Sequence, residues 1–235
     1  KSLFNKGLPS GTDAMGYIAQ TAYLAENNRW IYAWREFGLG APGYLSGLDF
    51  TLIPTTIILG DAVYAFKILT SLTFWLAGIT MYTYVYHHTR KNNASILAAI
   101  IYMLNQWFYI QFTEGHLSIM FSYALVPLFF LTLDKAFKKP NPTNLIFLAF
   151  SLSILLVLFH PQITGICIFF GFIYLIIRLV GNVKQFTRVL LNSLIVTLPL
   201  FIGLTSIHLI PLILGVKPPY LTIYYRWPVS YTHLR

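Results

Sequence analysis

The sequence predicts an all-α fold, a polytopic transmembrane helical bundle, and three observations carry that prediction. Of 235 residues, 57% are hydrophobic and only 10% charged, and the mean hydropathy is +0.65. A soluble domain carries about 25% charge and about 45–50% apolar residues. The excess excludes an ordinary cytosolic enzyme, a disordered tail and a disulfide scaffold. Second, six segments, 62–86, 94–112, 117–134, 143–160, 162–178 and 188–210, suit a hydrocarbon core that needs roughly 20 residues per helix. A water-soluble helical core would need polar faces, yet Leu145 to Phe159 offers only Ser151 and Ser153. Third, the basic residues alternate between connections. Residues 87–93, 135–142 and 179–187 with their flanks carry Arg90, Lys91, Lys135, Lys138, Lys139, Arg178, Lys184 and Arg188. The intervening turns, 113–116 and Pro161, carry neither Lys nor Arg.

That alternation is the positive-inside pattern, which places the basic loops in the cytoplasm. The net charge of +9 is then topogenic, and nucleic-acid binding is not expected. Cys167, the single cysteine, lies in an apolar run and gives neither a disulfide nor a thiolate metal site.

Taken in order, residues 1–60 form a large loop on the non-cytoplasmic face, and span parity implies a further helix upstream of Lys1. Thr12 or Ser10 caps a helix with Asp13 in its first turn, where the helix dipole favours a carboxylate. Ala14, Ile18, Thr21 and Ala25 recur at helical spacing, as in a helix lying in the membrane interface. An irregular loop rich in glycine follows, from Gly38 to Gly47. A second short membrane-lying helix, Leu48 to Leu59, is broken by Pro54. Gly60-Asp61 opens the bundle, residues 61–215. Residues 216–228 start another external loop. Val229 to Arg235 reads as translated sequencing adapter, and setting it aside removes Arg235 from the positive balance.

This orientation sorts the carboxylates: Asp13, Glu26, Glu36, Asp49, Asp61 and Glu114 outside, Asp134 alone inside. His116, His160 and His208 fall at outer span ends, while His87 and His88 belong to a charged cytoplasmic loop and need no function. Trp30, Trp34, Tyr44 and Trp107 crowd the outer level, in part as an interfacial aromatic belt. Carboxylates, imidazoles and aromatic rings gathered at one membrane surface suit a polar, sugar-like substrate.

Gly11-Thr12-Asp13 with Tyr17, Trp34 followed by Gly38-x-Gly40-x-Pro42, then Gly60 and Lys67, resembles the first external loop of GT-C-type membrane glycosyltransferases. Within that group the chain is most similar to prokaryotic polytopic proteins called 6-pyruvoyl-tetrahydropterin synthase-related, a name that implies no pterin chemistry. Glu114-Gly115-His116, Ala124-x-x-Pro127-Leu128 and His160-Pro161-Gln162 fit the same pattern, so the resemblance covers residues 7–215.

The resemblance implies a GT-C-like bundle in the cell membrane that transfers a sugar from a polyprenyl-phosphate-linked donor on the outer face. It implies a catalytic acidic residue at the start of the first external loop, matched by Asp13. Such a carboxylate takes the proton of the acceptor hydroxyl as it attacks the anomeric carbon. Glu114 and His116 are the supporting site groups. Lys67 and Arg35, or Arg29, are available to a lipid phosphate, with Trp34, Asp49 and His160 as further substrate contacts. Each has a blander reading: a helix-start carboxylate for Asp13, a polar turn for Glu114 and His116, an interfacial imidazole for His160, a snorkelling ammonium for Lys67. Some GT-C relatives hold a divalent metal on paired acidic positions; no clear Asp-x-Asp pair occurs, which leaves the metal open. The alternative is a non-catalytic membrane protein that binds or moves lipid-linked glycans, or an envelope-assembly component. No P-loop, dinucleotide fingerprint or zinc-protease motif is present. The sequence leaves the oligomeric state open.

Overall fold

The computed structural model describes residues 12–26, 32–35, 41–44, 48–158, 161–181 and 183–213. The architecture is helical: α1 (Thr12–Glu26), α2 (Asp49–Leu59), α3 (Ala62–Thr89), α4 (Asn92–Met103), α5 (Gln106–Glu114), α6 (Leu117–Lys138), α7 (Pro142–Leu158), α8 (Pro161–Gly181), α9 (Val183–Asn192) and α10 (Leu198–Ile213). Among the described residues, four stretches are long and apolar enough to cross a membrane: Ala62–Thr89, Asn92–Glu114, Leu117–Lys138 and Val183–Ser206. Pro142–Leu156 and Ile163–Arg178 are apolar but shorter. The chain is an integral membrane protein. Its outward side chains agree, for Ile58, Trp75 and Ile195 are 70% or more exposed, a surface that suits lipid rather than water.

The sequence expectation is corrected at four places. Two short strands, β1 (Tyr32–Arg35) and β2 (Ala41–Tyr44), pair antiparallel with Tyr32 opposite Tyr44, where an irregular loop was expected. α2 runs through Pro54 unbroken; the proline, at the middle of the helix, forfeits one ladder bond without ending it. The second span is two helices, because Asn105 interrupts the ladder after α4 and caps α5, its Oδ1 accepting from Phe108 N at 2.9 Å. The last span begins at Val183 and contains a π-helical segment, Ser193–Thr197. Leu198 N–H bonds the Ser193 carbonyl five residues back as the chain nears Pro199, which has no N–H to offer.

α6 is the axis of the fold. Two thirds of its apolar window is buried, against 6% for Asn92–Glu114, which lies at the periphery. Leu117 and Phe121 pack with Ala14 and Ile18 of α1, Leu52 of α2 and Phe66 of α3. Further along, Leu125, Phe129 and Leu133 pack against Leu145, Leu148 and Leu155 of α7 and Cys167 of α8. Pro127 lies within α6 and cannot donate to the carbonyl of Tyr123, four residues back. The Tyr102 hydroxyl donates to that carbonyl instead, at 2.7 Å. Other polar side chains also tie helices together rather than face lipid: Thr80 Oγ1 donates to Ala124 O at 2.6 Å, and Thr132 and Ser151 pair at 2.7 Å.

Side-chain contacts define the two ends of the bundle. His87 of α3, Asp134 and Lys138 of α6 and Arg178 of α8 meet at one end, where Asn144 of α7 donates to Lys139 O. At the other, α1 meets the start of α3 and the α5–α6 turn, and Thr164 of α8 donates to Leu155 O of α7. The basic connections thus gather at one end, called the basic end below.

Candidate functional site

Two of the sequence-predicted residues, Asp13 and His116, meet at the end opposite the basic one, and Glu114 ends the helix two residues before His116. Asp13 stands in the first turn of α1, a favourable place for a carboxylate. Its Oδ2 lies 3.3 Å from His116 Nε2 across a sequence separation of about a hundred residues, with the two side chains 51% and 29% exposed.

The α5–α6 turn builds the other half of the pair. α5 ends in a Schellman motif: Gly115 N–H bonds Phe112 O at 3.2 Å, and His116 N–H bonds Gln111 O at 3.0 Å. Gly115 adopts φ +75°, a conformation that costs any residue with a Cβ. A Cβ there would also sit 2.7 Å from Ala14 Cβ and 2.8 Å from Ala14 N. The same glycine therefore turns the chain and lets α1 approach the turn, with Asp13 next to the contact.

Gln111 holds His116 twice. Besides the backbone bond, its Oε1 lies 2.8 Å from His116 Nδ1. With Nδ1–H donating to Gln111, Nε2 faces Asp13 as a bare base or, in the imidazolium, as a second donor. The arrangement can pass a proton between carboxylate and imidazole in either direction. Nearby, the Tyr17 hydroxyl and Ser118 Oγ pair at 3.1 Å, and the Tyr17 ring stacks on Phe66 at 6.4 Å. Lys67 follows Phe66 on α3 and is half-buried.

Two local choices at this turn run against helix stability. Glu114 is exposed in the last turn of α5, where the helix dipole disfavours a carboxylate by about 0.3–1 kcal/mol. His116 is the N-cap residue of α6 and makes no capping bond, although Ser, Thr, Asp or Asn there is worth about 0.5–2 kcal/mol. Local rules broken together are expected at functional positions.

The remaining candidates are placed only in outline. Trp34 and Arg35 lie in β1 and Asp49 begins α2. His160 and Arg29 lie outside the described residues. Among the described residues, no three His, Cys, Asp or Glu side chains converge as metal ligands would. Gln111, Tyr17 and Ser118 escaped prediction as site residues. The signal was Gly115 itself, since a C′ glycine binds residue 116 back to residue 111.

A family model described as 6-pyruvoyl-tetrahydropterin synthase related domain, membrane protein, matches residues 50–220. That span includes Lys67, Glu114 and His116 and begins after Asp13. No curated protein and no solved structure matches the chain.

Proposed function

The chain belongs to the 6-pyruvoyl-tetrahydropterin synthase related family of membrane proteins, and on that footing we propose that it acts on a polyprenyl-phosphate-linked sugar at the end of the bundle opposite the basic one. In this reading the protein lies in the cell membrane with residues 1–60 on the non-cytoplasmic face. α7 and α8 complete six crossings, and the bundle is GT-C-like.

The observation that carries the proposal is the Asp13–His116 pair, fixed by Gln111 and by the close approach of Ala14 to Gly115. The acceptor hydroxyl oxygen attacks the anomeric carbon while Asp13 takes its proton. The carbon–oxygen bond to the carrier breaks, and its electron pair leaves on the lipid phosphate. With Nδ1–H held by Gln111, the bare Nε2 of His116 takes the proton from Asp13 after the step and restores the carboxylate. Glu114 borders the same turn and offers a polar contact to a sugar hydroxyl. Lys67 and Arg35 are the cations for the leaving phosphate, where developing charge gains most from a fixed partner. Trp34, Asp49 and His160 contribute to holding the sugar and its carrier.

A second reading rests on the same pair, which also latches α1 to the α5–α6 turn. A latch suits a protein that binds or moves lipid-linked glycans, or an envelope-assembly component, without turnover. The test uses membranes containing the full chain, a polyprenyl-phosphate hexose labelled in the sugar, and Asp13→Asn at matched protein levels. Loss of a general base predicts a fall of about 10²–10⁴-fold in transfer. Transfer that survives Asp13→Asn unchanged removes Asp13 from the chemistry. Binding without turnover in the unmodified chain favours the second reading.

A further inference from the structure

At the basic end a single carboxylate is enclosed by more positive charge than it can neutralise. Asp134 of α6 is 2% exposed. Its Oδ1 accepts from the Tyr174 hydroxyl at 2.6 Å and lies 3.4 Å from Arg178 Nη2. Its Oδ2 lies 2.7 Å from Lys138 Nζ and 3.2 Å from His87 Nε2. These four partners come from α3, α6 and α8 and occupy the acceptor sites a carboxylate has.

The carboxylate balances one of the two permanent cations. Lys138 and Arg178 are 49% and 43% exposed, and each keeps N–H donors that Asp134 does not use. Arg178 is further fixed: its Nε donates to the Tyr174 hydroxyl at 3.1 Å, and its guanidinium lies over the Phe137 and Tyr174 rings. Because both cations touch the same carboxylate, their nitrogens are no more than about 8 Å apart, the span one phosphate bridges with two ordinary hydrogen bonds. From Arg178 the exposed side chains of Ile177, Ile173 and Phe169 lead back along α8, an apolar track for an acyl chain.

We propose that the Asp134 clasp presents Lys138 and Arg178 as a preformed two-cation seat for the phosphate of an anionic phospholipid. The site is independent of the proposed reaction at the opposite end. Asp134 acts as a strut: it contributes no contact to the lipid but keeps both cations in one geometry. The apolar track selects a lipid over a soluble phosphate.

The test is titration of the purified full chain in neutral detergent with phosphatidylglycerol, phosphatidylcholine or inorganic phosphate. Bound lipid is counted by native mass spectrometry. Phosphatidylglycerol should bind at least about tenfold more tightly than phosphatidylcholine, and inorganic phosphate should not displace it at equal concentration. Lys138→Gln and Arg178→Gln should each lose about tenfold, while Lys135→Gln, an equal charge change on exposed α6 surface, should lose less than about twofold. Asp134→Asn separates a strut from diffuse attraction, because it makes the basic end more positive. A built seat predicts weaker lipid binding in that variant, and diffuse attraction predicts tighter. Should Asp134→Asn fail to fold, the contrast between Lys138 and Lys135 decides. Equal losses at those two positions, or displacement by inorganic phosphate, would overturn the proposal.

Discussion

Replacing Gly115 by Ala should undo the candidate site from a position that carries no chemistry of its own. Two costs can be read from the structure. The first is the backbone: φ +75° lies in the left-handed region, which costs an L-residue about 1–2 kcal/mol. The second is space. The new Cβ would stand 2.7 Å from Ala14 Cβ and 2.8 Å from Ala14 N, so α1 itself must retreat by on the order of 1 Å, and overpacking of this kind costs about 1–3 kcal/mol. Together they predict about 2–5 kcal/mol of lost stability and an α1 no longer seated on the turn. Asp13, one residue before the contact, would leave the reach of His116. Gly16→Ala on the same helix is the control, since nothing lies within 4 Å of the position its new Cβ would take and its backbone is helical. It should gain about 0.5–1 kcal/mol. Gly115→Asn separates the two costs, because Asn tolerates the left-handed backbone but not the crowding. The assay is thermal unfolding of the full chain in detergent, with amide hydrogen exchange read across α1. If Gly115→Ala leaves the α1 exchange rates and the unfolding midpoint within the error of the unmodified chain, the close approach of α1 is not what seats Asp13.

Three smaller predictions concern the bundle. Tyr102→Phe leaves the Tyr123 carbonyl without the donor that replaces Pro127, and should cost about 1–3 kcal/mol in the unfolding equilibrium. In a Pro127→Ala background the cost should shrink, because residue 127 regains an N–H; a double-mutant cycle checks it. Thr80→Val removes the α3-to-α6 bond to Ala124 and should cost about 0.6 kcal/mol, up to about 1.7, by the same measurement. Asp61→Ala removes the α3 cap, which accepts from Val63 N at 2.7 Å and Tyr64 N at 3.0 Å; a loss of about 0.5–2 kcal/mol is expected, read as faster exchange in the first turn of α3.

The membrane bundle was legible because hydropathy and charge alternation act over whole segments. The start of α3 at Gly60-Asp61 was legible too, since a capping carboxylate is local chemistry. The break at Asn105 was not. Residues 94–112 read as one apolar run, and only the tertiary contacts of Asn105 with Tyr102 and Tyr123 show what the interruption gains. The path of α2 through Pro54 and the pairing of β1 with β2 were not legible either, because turn residues mark a change of direction without saying what lies on either side. In the site, residue types were readable but the pairing was not. Asp13 and His116 are about a hundred residues apart, and their contact depends on Gly115 admitting Ala14. His87 reads from sequence as a charged-loop residue, yet it contacts Asp134. Sequence assigns charges to an end of the bundle, and packing decides which of them touch.

Whether Asp13 and His116 work as one unit on a lipid-linked sugar, as proposed above, is decided by a double-mutant cycle in the transfer rate. The pair is half-exposed, so its direct worth to stability is at most about 1 kcal/mol, and the variants should remain folded. Initial rates with labelled polyprenyl-phosphate hexose are compared for the unmodified chain, Asp13→Asn, His116→Gln and the double variant. Each single change should lower transfer by about two orders of magnitude or more, and the double variant should be no slower than the worse single one. Independent, multiplying losses, or single variants that transfer at the unmodified rate, would contradict the proposal.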